Sequence, residues 1–475
     1  MSASTRSCAL PVLFAALTMV SCVSLQQYHP PAEPSAALPD AVCRPSTPGD
    51  CSAAVLEERD EYLLGFVEFD DLGWAWDRGQ QELLLSRLEA ETAERDALIV
   101  VFAHGWKHDA RTCDTNVTCF RETLKQLYLT EMALVDKSTT PRRIIGIYLG
   151  WRGRSANGPV SKQLSFYGRK GTAHKVGSGA VTEFLVRLKE IRNQRHQTVA
   201  QSMTDLYPDL TADERPSSPT RLVFVGHSFG GALMYSATSQ LLVERLALAA
   251  AYGDAARGFG DMVVLVNPAF EAARYEPLHE AVRHGAYPDD QRPILAIITS
   301  QGDSATGKAF PLGRWLPSQF DTYRKDSRKR EQIGANRKAV GHFPDYRTHF
   351  LIPNDRTEEP VKANKKLAEN CGCNFPIASE GTDEEHAAIV RETIENLRNH
   401  RWSESGEMSF PLSTLVWEKD KLPSNSPIML VSADPKIIPN HSGIYQRAFI
   451  DFLRYMIMQA GEPVNYAAIS TDRDQ

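Results

Sequence analysis

The sequence contains no glycine-rich phosphate loop, no dinucleotide-binding motif and no metal-ligand cluster, so nothing in it asks for a cofactor or a metal. Its eight cysteines show no CxxC spacing and no His pair accompanies them, which argues against a zinc site. Charge of one sign is scarce: 53 basic residues against 59 acidic ones leave a net charge of −6. So small a balance provides no global pull toward nucleic acid and reads as ordinary solubility. No internal repeat is visible. The strongly apolar run near the start, Ala9 to Val20, is too short to span a bilayer as a stable helix. What is there suits a globular chain with a sizeable core: 42% of residues are hydrophobic and 24% charged. A length of 475 residues admits one large domain or two to three average ones.

The Ala9 to Val20 run has the size of a signal-peptide core, with Arg6 as its positive flank. It ends in Met19-Val20-Ser21-Cys22, where a cysteine follows a small residue. This resembles the lipobox of a bacterial lipoprotein, with Met19 where Leu is commonest. The resemblance implies a signal peptide over 1–21, lipidation of Cys22 and a membrane-anchored place in the bacterial cell envelope. A plain secretory signal is the alternative. Residues 22–55 read as a flexible tether, rich in Pro, Ala, Ser and Gln from Val23 to Gly49. Export makes disulfides plausible for the remaining cysteines, which fall into three close pairs. Cys43–Cys51 and Cys113–Cys119 have workable loop lengths, whereas Cys371–Cys373 would close a very small ring.

From residue 56 onward, short buried-type strand runs alternate with helical stretches. Ala97-Leu-Ile-Val-Val-Phe-Ala103 is continuous, apolar and rich in β-branched residues, as in strands covered on both faces. Similar runs start at Arg143, Arg221, Met262, Ile294 and Pro427. Helical periodicity lies between them, at 80–93, 119–134, 181–191, 232–251 and 443–459. This predicts an α/β fold with a mostly parallel central sheet flanked by helices. Residues 304–425 break the rhythm. They contain no strand of the buried type, so they read as an inserted subdomain.

Gly226-His227-Ser228-Phe229-Gly230 is the sharpest motif. A GxSxG pattern should arise by chance in roughly one in seven chains of this composition. Its context raises it. Arg221 to Val225 is strand-like and Gly231 to Ala237 opens a helix, which is the setting of a nucleophile elbow. The small neighbours let strand and helix approach, and Ser228 projects at a helix N-terminus that favours negative charge. Acyl transfer also needs an oxyanion hole. The backbone N–H of Phe229 is one expected donor. Val101-Phe-Ala-His104-Gly105-Trp106 runs a buried strand into His-Gly, so Trp106 is the other. His104 precedes the nucleophile and reads as a structural hydrogen-bonding residue.

His104-Gly105-Trp106 followed by Gly226-His-Ser228-Phe-Gly230, with a late Asp and a last His, resembles the α/β-hydrolase superfamily of esterases and lipases. The stretch His104-Gly-Trp-Lys-His-Asp, with Asn116-Val117 and Phe120, is similar to poorly characterised bacterial lipoprotein hydrolases. The resemblance covers roughly residues 60 to 475 apart from the insertion. It implies the order nucleophile, acid, His, each on a loop after a strand. On that order Asp303, in Thr299-Ser-Gln-Gly-Asp303-Ser, is the acid, with Glu271 as runner-up. His441, in Pro439-Asn-His-Ser-Gly443, is the base. The insertion becomes a cap whose apolar opening, Phe310 to Phe320, lines an acyl site. The implied reaction is hydrolysis of a carboxylic ester, on a lipid or another acylated small molecule, through an acyl-enzyme and without a cofactor. A thioesterase or amidase on the same triad, or a non-catalytic envelope scaffold, are the alternatives.

Overall fold

The computed structural model describes residues 26–30, 42–43, 54–134, 140–153, 159–208, 218–375, 384–398, 403 and 405–460. Cys22 and the signal segment lie outside them. The described residues form an α/β architecture around a single twelve-stranded sheet. In chain order its strands are β1 (Val42–Cys43), β2 (Leu56–Glu58), β3 (Leu63–Phe69), β4 (Ala97–Ala103), β5 (Arg143–Trp151), β6 (Arg221–His227), β7 (Met262–Val266), β8 (Leu295–Ser300), β9 (His349–Ile352), β10 (Glu407–Phe410), β11 (Ser413–Trp417) and β12 (Ile428–Ala433). The helices are α1 (Arg78–Glu94), α2 (Thr115–Leu134), α3 (Pro159–Val176), α4 (Thr182–Leu206), α5 (Phe229–Tyr252), α6 (Glu276–Arg283), α7 (Phe310–Trp315), α8 (Lys329–Arg337), α9 (Lys365–Glu369), α10 (Glu384–Arg398) and α11 (Arg447–Met458).

Every residue of β3 through β8 is buried, because helices cover both faces and no side chain on either face meets water. Alternate strand residues feed two cores. Ile99, Val101, Ile147, Phe224 and Leu265 pack against α1, α3, α4, α5 and α6. Val100, Phe102, Tyr148, Val225 and Val264 pack against α2, α10 and α11. The spatial order is β1-β2-β3-β5-β4-β6-β7-β8-β12-β9-β11-β10. From β3 to β9 all neighbours are parallel. The chain moves one way from β4 to β5 and the other way to reach β6. Loops therefore leave the carboxyl ends of β4 and β6 in opposite directions, and a crevice opens between them.

Two expectations need correction. The 304–425 segment is not wholly an insertion beside the sheet. β9 joins β12 in parallel, and β11 and β10 follow it antiparallel, so this stretch extends the sheet by three strands. They escape the buried-run test because they lie at the edge: β10 alternates exposed and buried residues, and β9 nearly so. The part before β9 packs on one sheet face through Phe310, Ala335, Val340, Phe343 and Tyr346, and α10 packs on the other through Val390, Ile394 and Leu397. The close cysteine pairing also fails. The disulfides are Cys113–Cys371 and Cys119–Cys373, spanning 258 and 254 residues. The fold lays the short Cys371-Gly-Cys373 segment along the start of α2, so each cysteine meets a distant partner before its chain neighbour. Cys51 lies outside the described residues.

Candidate active site

Ser228 stands between the last residue of β6 and the first of α5, with φ 58° and ψ −117°. A non-glycine residue held there stores on the order of 1–3 kcal/mol of strain. The surroundings leave it little choice. Its N–H donates to Val266 O at 2.9 Å, and its carbonyl accepts from Ala232 and Ala269. The flanking glycines are sterically required: a Cβ on Gly230 would lie 2.0 Å from Ala103 O, and one on Gly226 would lie 2.6 Å from Gly230 O. The β4 loop reaches the same point. A Cβ on Gly105 would sit 2.8 Å from Ser228 Cβ, so the backbone leading to Trp106 lies against the serine.

Ser228 Oγ lies 2.7 Å from His441 Nε2, and His441 Nδ1 lies 2.8 Å from Asp303 Oδ2. These three residues come from the loops after β6, β8 and β12. The carboxylate accepts the Nδ1–H, which leaves Nε2 free to accept the serine proton. Burial alone would raise the Asp303 carboxyl. Hydrogen bonds from His441 and Thr306 outweigh it and hold the group at about 2. Asp303 Oδ1 accepts the N–H groups of Ala305 and Thr306 at 2.9 and 3.1 Å. The Thr306 hydroxyl donates to Asp303 Oδ2, so its oxygen accepts the Nε2–H of His342 at 2.9 Å. Comparison with protein-family models, curated proteins and solved structures finds no match to this chain.

Glu271, the alternative acid, is engaged elsewhere. It pairs with Lys170 and with Arg274 and Arg314 at 3.3 and 3.0 Å. Burial would raise its carboxyl, but these cations hold it at about 2. Burial brings the Lys170 ammonium down to about 8. His104 is fully buried. Its Nδ1–H donates to Gly105 O at 3.0 Å and its Nε2 accepts the Trp151 N–H at 3.2 Å, so it braces the loop that carries Trp106. The Trp151 indole N–H closes the clamp on His104 O at 3.0 Å. Phe310 is buried in the core, whereas Trp315 and Phe320 are 55% and 85% exposed, so these two do not line an enclosed acyl site.

Sequence reasoning missed the groups that hold the His441 loop. The His441 carbonyl accepts from His227 Nε2 at 2.8 Å and from Asn267 Nδ2 at 3.0 Å. Asn267 Oδ1 in turn accepts the Ser300 N–H at 2.8 Å, tying the β7, β8 and β12 loops together. The available signal was Asn267 itself, a polar residue directly after a fully apolar strand. Among the described residues no group of three or more His, Cys, Asp or Glu side chains could hold a metal ion. No described helix is long and apolar enough to cross a membrane.

Proposed function

We propose that this protein is a serine hydrolase that cleaves carboxylic esters through an acyl-enzyme on Ser228. The observation that carries the reading is the hydrogen-bonded line from Ser228 Oγ through His441 to Asp303. In this mechanism His441 Nε2 takes the serine proton as Oγ attacks the ester carbonyl. The imidazolium is stabilised by Asp303, whose value of about 2 keeps it charged throughout the working range. The tetrahedral oxyanion is received by the N–H groups of Phe229 and Trp106, beside the N-terminus of α5. His441 then gives its proton to the departing alcohol, and water repeats the cycle to release the acid.

The α/β-hydrolase reading draws support from the strand order β3-β5-β4-β6-β7-β8-β12 and from the loops that bear the three residues. The cap, in this reading, is the stretch from 304 to the start of β9. The two disulfides favour an oxidising compartment, in keeping with an envelope protein anchored through Cys22. The test is labelling by a fluorophosphonate probe, with cleavage of short p-nitrophenyl esters as the second readout. Wild-type protein labels and turns over; folded Ser228→Ala does neither. A scaffold without catalysis leaves the probe unreacted. Matched ester, thioester and amide substrates then rank the acyl linkages.

A further inference from the structure

We infer that the cavity beside the His441 loop is the subsite for the alcohol part of the substrate, and that this alcohol is hydroxyl-rich, of carbohydrate type. The inference rests on the hydrolase reading for the chemistry, but the site itself stands on its own geometry. The cavity has a volume of about 470 Å³, within the range of small-molecule sites, and Pro439, Asn440 and Ser442 form one wall. His441 must protonate the leaving oxygen, so the leaving group lies on the His441 side of Ser228. This cavity is on that side.

Its lining defines the ligand. Asn116, His227 and Tyr445 are each more than nine-tenths buried and line the cavity together. Asn116 Oδ1, His227 Nδ1 and the Tyr445 hydroxyl have no hydrogen-bond partner among the described residues. His227 donates its Nε2–H to the His441 carbonyl and burial keeps it neutral, down at about 3, so Nδ1 is a bare acceptor. Asn116 Oδ1 is a second acceptor, and the tyrosine hydroxyl can donate or accept. A ligand presenting several hydroxyls meets this set. An alkyl chain would leave these enclosed atoms as unpaired as they are in the free protein, whereas hydroxyls that reach them would supply the missing hydrogen bonds. A carboxylate or phosphate would face two acceptors, and an ammonium group would face Lys362 at the rim. The Phe375 and Tyr445 rings, with centroids 6.4 Å apart, offer apolar faces for the C–H side of a sugar ring.

The site adjoins the reacting serine through His227, the residue before it, although neither Ser228 nor His441 lines the cavity. A Cβ on Gly105 would touch both Ser228 Cβ, at 2.8 Å, and His227 Nδ1, at 3.1 Å. The outer wall is held rather than loose. Two disulfides fasten Cys371 and Cys373 to the region of α2, and the Gln446 amide exchanges two 2.8 Å hydrogen bonds with Val361.

Two measurements test this. In the first, Ser228→Ala protein is mixed with a methyl glycoside or with n-butanol and followed by saturation-transfer NMR. The glycoside receives transfer and butanol does not, and the glycoside signal is lost in Asn116→Leu/Tyr445→Phe. No transfer to the glycoside, or equal transfer to butanol, overturns the subsite. In the second, wild-type kcat/KM is compared for an O-acetyl methyl glycoside and for ethyl acetate. Hydrogen bonds to the three polar atoms predict at least about a ten-fold preference for the sugar ester. Tyr445→Phe narrows it about five-fold. A ratio near one overturns the leaving-group assignment. Glycoside binding with neither ester cleaved and no fluorophosphonate labelling would sink the hydrolase reading and leave the subsite standing.

Discussion

At the residue scale, the two carboxylates that compete for the role of acid are separated by what they touch. Asp303 meets His441 Nδ1, so Asp303→Asn should lower kcat by at least about a thousand-fold, since an amide there favours the wrong tautomer. Glu271 meets only cations. Glu271→Gln should keep kcat within a few-fold but destabilise the protein by about 3–5 kcal/mol, because it leaves Lys170 buried without its counter-charge. Denaturant midpoints and ester kinetics on both variants check this, and a crippled Glu271→Gln enzyme beside an active Asp303→Asn enzyme would reverse the assignment. Titration adds a second expectation. Asp303 falls from an ordinary 3.8 to about 2. Between those values the unfolded chain holds more protons, so stability rises with pH in that window and is lost as pH falls through about 2. This contributes roughly 2 kcal/mol at neutral pH. Burial keeps His104 down at about 4 and His227 at about 3, against an ordinary 6.5. Both stay neutral in the fold while the unfolded chain protonates them, so their contribution also fades as pH falls, starting near 6.5. Urea midpoints should therefore decline from about pH 6.5 toward pH 4. Level midpoints over that range would contradict it.

At the scale of elements, the disulfides make a prediction because both close nearly the same long loop. Joining residues 258 apart is worth about 5 kcal/mol in the chain-entropy view. Once one bridge is shut, the second closes only short segments. Cys113→Ser/Cys371→Ser and Cys119→Ser/Cys373→Ser should each cost about 2–3 kcal/mol, and the quadruple variant about 7–8 kcal/mol. Denaturant unfolding measures all three, and a single-bridge loss as large as the quadruple one would reject the shared-loop account. The same scale shows what was legible. Buried strands such as Ala97–Ala103 announce themselves by composition. Helix α3 does not: Gly168 and Gly171 interrupt it, and glycine weakens a helical signal. Strands β9 to β11 are equally quiet, because an edge hairpin alternates and needs no continuous apolar run.

For the whole molecule, the N-terminus carries the remaining prediction. Cys22→Ala should move the protein from the membrane fraction to the soluble fraction or leave it unprocessed. Mass spectrometry of the mature N-terminus decides, and an unlipidated start at another residue would reject the anchor. The sequence by itself determined the class of fold and the serine, because buried parallel strands and a glycine-flanked elbow are demanded by local packing and local backbone geometry. The order Ser228, Asp303, His441 came from the resemblance to α/β-hydrolases. Only the tertiary structure brings His441 to Ser228 across 213 residues and to Asp303 across 138. It alone put Asp303 against His441 and Glu271 among cations, crossed the disulfides, and placed Asn267 and His227 on the His441 carbonyl. The reason is one of range. Periodicity and turn chemistry act over a few residues, whereas partner choice among distant charges, thiols and carbonyls is set by which strand ends the sheet order makes neighbours.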